Sequence, residues 1–120
     1  MSEHAEQCAL IQWADLMVAT GKYPQLEWLH AIPNGGHRNK ITAGKMKAEG
    51  VKAGVLDLHL PVPVGGCPGL WVEMKYGRNK LTETQQRWAA GMRRLGHRVE
   101  VCYSAGEAME TIISYLEGAR

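Results

Sequence analysis

Residues 55–60 read VLDLHL and residues 70–76 read LWVEMKY, and these two apolar runs decide the predicted fold. Their length and their valine, leucine and aromatic content are typical of β-strands. Because side chains alternate between the two faces of a strand, the three leucines of the first run are expected on one face and Asp57 on the other. Asp is disfavoured inside strands, so this carboxylate needs a compensating partner.

The second run supplies candidate partners. Glu73 and Lys75 share one face of it, and Glu73 follows Asp57 by sixteen residues. If the two strands pair in the right register, two carboxylates and one ammonium group meet above an apolar sheet. Neighbouring carboxylates repel each other unless a cation neutralises them, and Mg²⁺ prefers such oxygen ligands. A metal ion, an oriented water and a fixed positive charge are the parts that phosphodiester hydrolysis requires.

The Glu-x-Lys triplet alone says little about function. With ten Glu and seven Lys in 120 residues, chance alone gives roughly 0.6 such triplets. A Glu and a Lys two residues apart also fit the solvated face of an antiparallel sheet. It is Asp57, interrupting an apolar run, that favours the functional interpretation.

Length and composition indicate one compact domain covering residues 1–120. The chain is 45% hydrophobic and 22% charged, which suits a single core. No apolar stretch is long enough to span a bilayer and the first residues lack a signal-peptide pattern, so we expect a cytoplasmic protein with no membrane partner. The three cysteines, at positions 8, 67 and 102, lack metal-ligand spacing and are expected to be reduced thiols.

Positive charge is concentrated in two segments, although the formal net charge is only +2. Residues 37–52 contain five Lys or Arg against one Glu, and residues 75–98 contain seven against one Glu. Such segregation is typical of a surface that binds phosphates, but basic residues on helices are equally often a solvated face. Charge alone leaves both interpretations open.

The predicted order of elements is α-β-(α)-β-β-α-β-α, which gives a mixed α/β sheet with helices on its faces. Capping residues, glycine stops and apolar periodicity set the boundaries. The predicted helices cover residues 2–21, 42–50 and 82–96 and a last segment from 104, and the predicted strands cover residues 26–32, 55–60, 70–76 and 98–103.

Two polar residues have competing interpretations. Glu6 lies four residues before Leu10, in line with the apolar stripe of the first helix. It can reach the same metal as Asp57 and Glu73, or it can lie exposed near the helix start, where the dipole favours it. Gln85 ends a Thr-Glu-Thr-Gln capping box, so it has a structural role as well as a possible catalytic one.

Taken together, the chain resembles a stand-alone VRR-NUC domain of the PD-(D/E)xK nuclease superfamily over nearly its whole length. The resemblance implies a restriction-endonuclease-like αβββαβ core, with a mixed sheet flanked by helices. The sequence departs from the family pattern at Leu56, because the residue before the metal-binding Asp is usually a proline. The segments that carry it are Glu6-Gln7, residues 32–36, residues 47–54, Asp57, residues 73–75, residues 81–85 and residues 96–102.

The resemblance also implies roles for individual residues. Lys75 would orient or activate the attacking water, and Gln85 would help to position Lys75 or that water. The implied metal ligands are Asp57, Glu73, the backbone carbonyl of Met74 and, from the first helix, Glu6. The implied contacts to the phosphate backbone are Asn34, Arg38, Lys47, Lys52 and Lys80.

The resulting hypothesis is an Mg²⁺-dependent DNA endonuclease, with Mn²⁺ able to substitute. By resemblance to Holliday junction resolvases, it is expected to act as a homodimer on branched DNA. The alternative is a catalytically inactive nucleic-acid-binding module of the same fold. An intact acidic set distinguishes the two, because an inactive module has no reason to keep mutually repelling carboxylates together.

Overall fold

A four-stranded mixed sheet organises the chain, and the computed structural model describes residues 2–33 and 40–118. A short 3-10 helix, Pro24–Trp28, follows the first α-helix. The helices are α1 (Glu3–Thr20), α2 (Lys40–Ala48), α3 (Glu83–Arg94) and α4 (Ala105–Leu116), and the strands are β1 (His30–Ala31), β2 (Leu58–Leu60), β3 (Leu70–Met74) and β4 (Arg98–Cys102).

The strands lie in chain order, β1-β2-β3-β4. The first two pairings are antiparallel and the last, β3 with β4, is parallel. A parallel pair needs a crossover, and α3 provides it. The predicted mixed α/β sheet is therefore confirmed. The two apolar runs pair with each other antiparallel, with Leu58 opposite Val72.

Side-chain caps fix the predicted helix starts. The Ser2 hydroxyl accepts a hydrogen bond from the Ala5 backbone N–H at 3.1 Å, and Gly21 ends α1 with a φ of 76°. Thr82 and Gln85 form the predicted capping box of α3. Helix α2 begins at Lys40, two residues before the predicted start.

The predicted strand over residues 26–32 is wrong in its first part. Residues Pro24–Trp28 form the 3-10 helix, and only His30–Ala31 pair with β2. Proline fixes φ and has no N–H to donate to a ladder, which favours a helical first turn over a strand. The sequence Pro33-Asn34-Gly35-Gly36 after this strand is typical of a turn, and residues 34–36 lie outside the described residues.

Two apolar clusters lie on opposite faces of the sheet. One packs β2 and β3 against α1 and α4, and the other packs Leu56 and Trp71 against α3. The expectation that Leu56 shares a face with Leu58 and Leu60 is wrong, because the backbone bends at Asp57 before β2 begins. Strand alternation holds only within a regular strand.

The described residues contain no helix that combines the length and apolarity needed to cross a lipid bilayer. All three cysteines are free thiols, as predicted.

The α3 side of the sheet also carries a histidine cluster. His59 stacks on Trp71 with ring centroids 4.0 Å apart and planes 11° apart. The rings of His30 and His97 lie 5.5 and 6.0 Å from that of His59. Burial, and then the nearby His30 and His97, lower the pKa of His59 to about 4. His59 is therefore neutral at physiological pH.

We predict that His59 makes the fold sensitive to acid. Its pKa falls from 6.5 to about 4 on folding, so the folded protein binds fewer protons than the unfolded chain. Stability that is present above pH 6.5 is then lost as the pH falls toward 4. Urea unfolding of wild type and His59→Gln across this window should show a shallower loss in the variant. Parallel pH dependences in the two proteins would contradict the assignment.

Candidate active site

Two reciprocal hydrogen bonds join Asp57 to strand β3. The backbone N–H of Asp57 donates to Oε1 of Glu73 at 2.9 Å, and the backbone N–H of Met74 donates to Oδ2 of Asp57 at 2.9 Å. The antiparallel register, with Leu58 opposite Val72, brings these residues together. Each carboxylate is thus held by the backbone of the other segment.

Glu73 is a buried carboxylate, only 1% exposed. Its Oε2 atom lies 3.3 Å from the Lys75 ammonium nitrogen and accepts a hydrogen bond from Gln85 Nε2 at 3.1 Å. The Lys75 backbone is itself fixed by a 2.9 Å hydrogen bond to the Cys102 carbonyl of β4. A charge removed from water is costly unless it is paired and hydrogen-bonded, and Glu73 meets both conditions.

The two central carboxylates resist ionisation together. Burial, and then the charge of Asp57, raise the pKa of Glu73 to about 7. Burial also raises the pKa of Asp57, although its hydrogen bond from the Met74 backbone opposes the shift. A site that disfavours two negative charges in this way binds a proton or a cation readily.

Gln85 has both of the roles that the sequence left open. Its Oε1 accepts a hydrogen bond from the Thr82 backbone N–H at 3.0 Å, which closes the capping box. Its Nε2 donates to Glu73 at the same time. The side chain that starts α3 therefore also orients the buried carboxylate.

Gly54 sets the position of α3 against the segment that leads to Asp57. Its φ is +84°, and a Cβ on it would lie 2.4 Å from the backbone carbonyl carbon and oxygen of Thr84. Only a residue without a side chain permits this approach. Because Thr84 precedes Gln85, the contact also fixes the helix turn from which Gln85 reaches Glu73.

The third carboxylate beside Asp57 and Glu73 comes from Glu3, where Glu6 was expected. Oxygen atoms of Glu3, Asp57 and Glu73 all lie within 4.8 Å of one another, and among the described residues Glu6 is not part of this group. The Glu6 carboxylate instead accepts a hydrogen bond from the Ala105 backbone N–H at 2.9 Å, at the start of α4. Glu6 therefore joins α1 to α4.

Helix geometry explains why Glu3, rather than Glu6, reaches the other two carboxylates. Glu3 precedes the buried Leu10 by seven residues and Glu6 precedes it by four. At about 100° per residue, Glu3 lies roughly 20° from Leu10 around the helix, whereas Glu6 lies roughly 40° away on the other side. The seven-residue spacing between Glu3 and Leu10 was the feature of the sequence that could have identified Glu3.

The three carboxylates suit a hard divalent cation. They offer only oxygen atoms, which Mg²⁺ and Mn²⁺ accept, and no sulfur or imidazole ligand that would favour zinc. Burial is the main cause of the raised pKa values of Asp57 and Glu73, and the opposing charge of Lys75 does not cancel it. The predicted role of the Met74 carbonyl as a further ligand remains a prediction.

The phosphate-binding candidates are distributed over the surface. Lys47 lies exposed on α2, Lys52 is exposed between α2 and β2, and Lys80 is exposed after β3. Asn34 and Arg38 lie outside the described residues.

Fold and site together define an α/β domain with a partly buried acidic cluster and an adjacent lysine. A family model for the VRR-NUC domain matches residues 3–106, and the chain therefore belongs to the VRR-NUC domain family. A solved structure described as a VRR_NUC domain protein is similar to it, with a TM-score of 0.79 and 23% identity over 98% of this chain and 89% of the other. No curated protein matches the chain. The family implies a nuclease-type fold that uses a divalent metal ion.

We predict that Glu3 and Glu6 differ in metal binding although they lie one turn apart on α1. Glu3→Gln removes a carboxylate from the cluster, so Mn²⁺ affinity should fall by about tenfold or more, since even indirect partners of metal ligands are worth that much. Glu6→Gln should keep wild-type Mn²⁺ affinity and lower the melting temperature, because a neutral amide stabilises the start of α4 less well.

Titration calorimetry with Mn²⁺ and thermal unfolding without metal measure the two effects separately. Loss of Mn²⁺ affinity in Glu6→Gln with no loss in Glu3→Gln would restore the original expectation.

Proposed function

We propose that the protein is a DNA endonuclease that hydrolyses phosphodiester bonds with Mg²⁺, which Mn²⁺ can replace. The convergence of Glu3, Asp57 and Glu73 within 4.8 Å, with the Lys75 ammonium 3.3 Å from Glu73, is the observation that supports it most strongly. Residues 1–120 would act as one nuclease domain.

In this proposal, Glu3, Asp57 and Glu73 hold the ion, together with the Met74 carbonyl. The bound ion supplies Lewis-acid stabilisation to a phosphate oxygen. The protein holds its ligands in place beforehand: Asp57 and Glu73 are fixed by the reciprocal backbone hydrogen bonds, and Gln85 fixes the second oxygen of Glu73. Gln85 is a positioning residue, because it acts through Glu73.

Lys75 is the proposed catalytic cation. It is only 9% exposed, so its ammonium group is restricted to the surroundings of Glu73. There it can hydrogen-bond the attacking water and the phosphate oxygen on which charge develops. The water oxygen forms a new bond to phosphorus, the bond from phosphorus to the leaving sugar oxygen breaks, and that oxygen gains a proton. One water molecule is consumed for each bond cut.

The second candidate is a catalytically inactive nucleic-acid-binding module of the same fold. It requires only the basic surface and gives no reason for burying Glu73 beside Asp57. Since burial and the charge of Asp57 raise the pKa of Glu73 to about 7, this arrangement opposes its own ionisation. A metal ion offsets that cost, and the enzyme is therefore favoured.

We predict that neutralising the acidic cluster separates cleavage from binding. Asp57→Asn and Glu73→Gln should abolish Mg²⁺-dependent cleavage of labelled DNA while DNA affinity in EDTA is kept or increased, because less negative charge faces the phosphates. The amide variants preserve side-chain shape, so circular dichroism should remain native. Wild-type cleavage rates in both variants would refute the site.

We also predict that Lys75 cannot be exchanged for another cation. Lys75→Ala should slow cleavage by ~100-fold or more, the usual loss for a fixed charge at a reacting centre. Lys75→Arg should not restore the rate, because a planar guanidinium does not replace a compact ammonium. Lys22→Ala, an exposed lysine after α1, is the control and should cleave normally. An active Lys75→Arg enzyme would argue that the residue only binds backbone.

We further propose a homodimer that cuts branched DNA. One small domain carries one acidic site, whereas a two-fold pair would carry two and match the symmetry of a four-way junction. Exposed apolar side chains, among them Trp28 at 59%, Ile41 at 85% and Leu95 at 67% exposure, offer area for such a contact.

We predict a dimer by light scattering at micromolar concentration and faster cleavage of four-way junctions than of linear duplexes. The two parts are separable. A monomer in solution would contradict the dimer, and equal rates on junction and duplex would contradict the preference for branched DNA.

A further inference from the structure

A groove of about 530 Å³ runs between the segment at Lys52 and the outer side of α3. Three cationic side chains line it, those of Lys52, Arg87 and Arg94, and Trp88 supplies an apolar wall. Its lining includes no acidic residue. The groove therefore carries three positive charges of its own.

These cations have no carboxylate partner in the described part of the chain. The ion pairs found there are Lys75 with Glu73 and Arg98 with Glu100. The neighbouring Arg93 differs, because its guanidinium donates to the Val99 carbonyl at 2.9 Å and so is engaged within the fold. Arg87 and Arg94 are exposed on the same helix. Unpaired cations in a concave site attract anions.

Gly91 lines the groove in the second half of α3. A Cβ at this position would lie 3.8 Å from Nη2 of Arg94, an ordinary van der Waals distance. The Arg94 guanidinium therefore lies close to the helix backbone at Gly91, within the groove.

One end of the groove reaches the first turn of α3, which also contributes to the candidate active site. Thr84 lines the groove, and the next residue, Gln85, donates to Glu73. From Arg87 to Arg94 the helix rises roughly 10 Å at 1.5 Å per residue, which equals about three base-pair steps of 3.4 Å along the axis of a duplex. A strand held at the carboxylates can therefore continue past both arginines.

We propose that this groove binds the phosphate backbone of the DNA strand being cut, with Arg87 and Arg94 as contacts beyond Lys52. The inference rests on the proposed nuclease function and adds the path that the strand follows away from the acidic cluster. Phosphate contacts position a strand without reading its sequence, so the groove contributes affinity and register but no base preference.

Duplex binding measured in EDTA tests the groove without any dependence on catalysis. Each of Arg87→Gln and Arg94→Gln should reduce the slope of log affinity against log salt by about 0.9, and the triple variant with Lys52→Gln by about 2.7. Arg87→Lys and Arg94→Lys should retain the wild-type slope, because the charge is kept. Lys22→Gln removes a cation at the far end of α1 and should also leave the slope unchanged.

The possible results distinguish a failure of the groove assignment from a failure of the proposed nuclease function. If wild type binds DNA and the glutamine variants keep its slope while remaining folded by thermal melting, the groove assignment is overturned and the nuclease proposal stands. If wild type binds no DNA in EDTA and cuts none with Mg²⁺ or Mn²⁺, both the groove assignment and the nuclease proposal are overturned. If the slopes fall as expected but wild type cuts nothing with Mg²⁺ or Mn²⁺, the groove stands and the chain is a binding module.

Discussion

The burial of one carboxylate, Glu73, constrains the rest of the site. A buried charge is tolerated only when every oxygen has a partner, and Glu73 obtains its partners from three segments. The Asp57 backbone approaches from before β2, Lys75 from the residue that follows β3, and Gln85 from α3. These contacts exist only if the antiparallel register and the start of α3 are both correct. The acidic site therefore forms only in the correctly folded chain, because a shift of β3 by one residue in its pairing register would turn Glu73 to the other face of the sheet.

The two faces of the sheet contribute different parts of the site. Helices α1 and α4 cover one face with the larger apolar cluster, and α1 brings Glu3 to the carboxylates from its first turn. Helix α3 covers the other face, and its first turn brings Gln85 to Glu73. Both helices thus meet the end of β3 with their N-termini, where the positive end of the dipole favours carboxylates. The same helix α3 connects the parallel strands and forms one wall of the basic groove.

The sequence alone was sufficient to predict the features that depend on local patterns. Apolar runs and capping patterns predicted the strand pair, the capping box at Thr82 and the closeness of Asp57 to Glu73. Tertiary contacts decided the rest. Glu6 and Glu3 both flank the apolar stripe of α1, and only the docking of α4 shows that Glu6 bonds to Ala105. The groove joins residues that lie some forty positions apart, so charge counting along the chain located its basic residues without showing that they share one concave surface.

Gly54 has a consequence for how the protein tolerates change. A single methyl group there would overlap the Thr84 backbone. Relief would require the start of α3 and the Gly54 segment to separate, which would carry Gln85 away from Glu73. An uncharged substitution outside the acidic cluster would then act like the removal of a positioning residue. Screens for loss of function should find this position among the most restrictive in the chain, and its effect would be mistaken for a chemical role if only the phenotype were known.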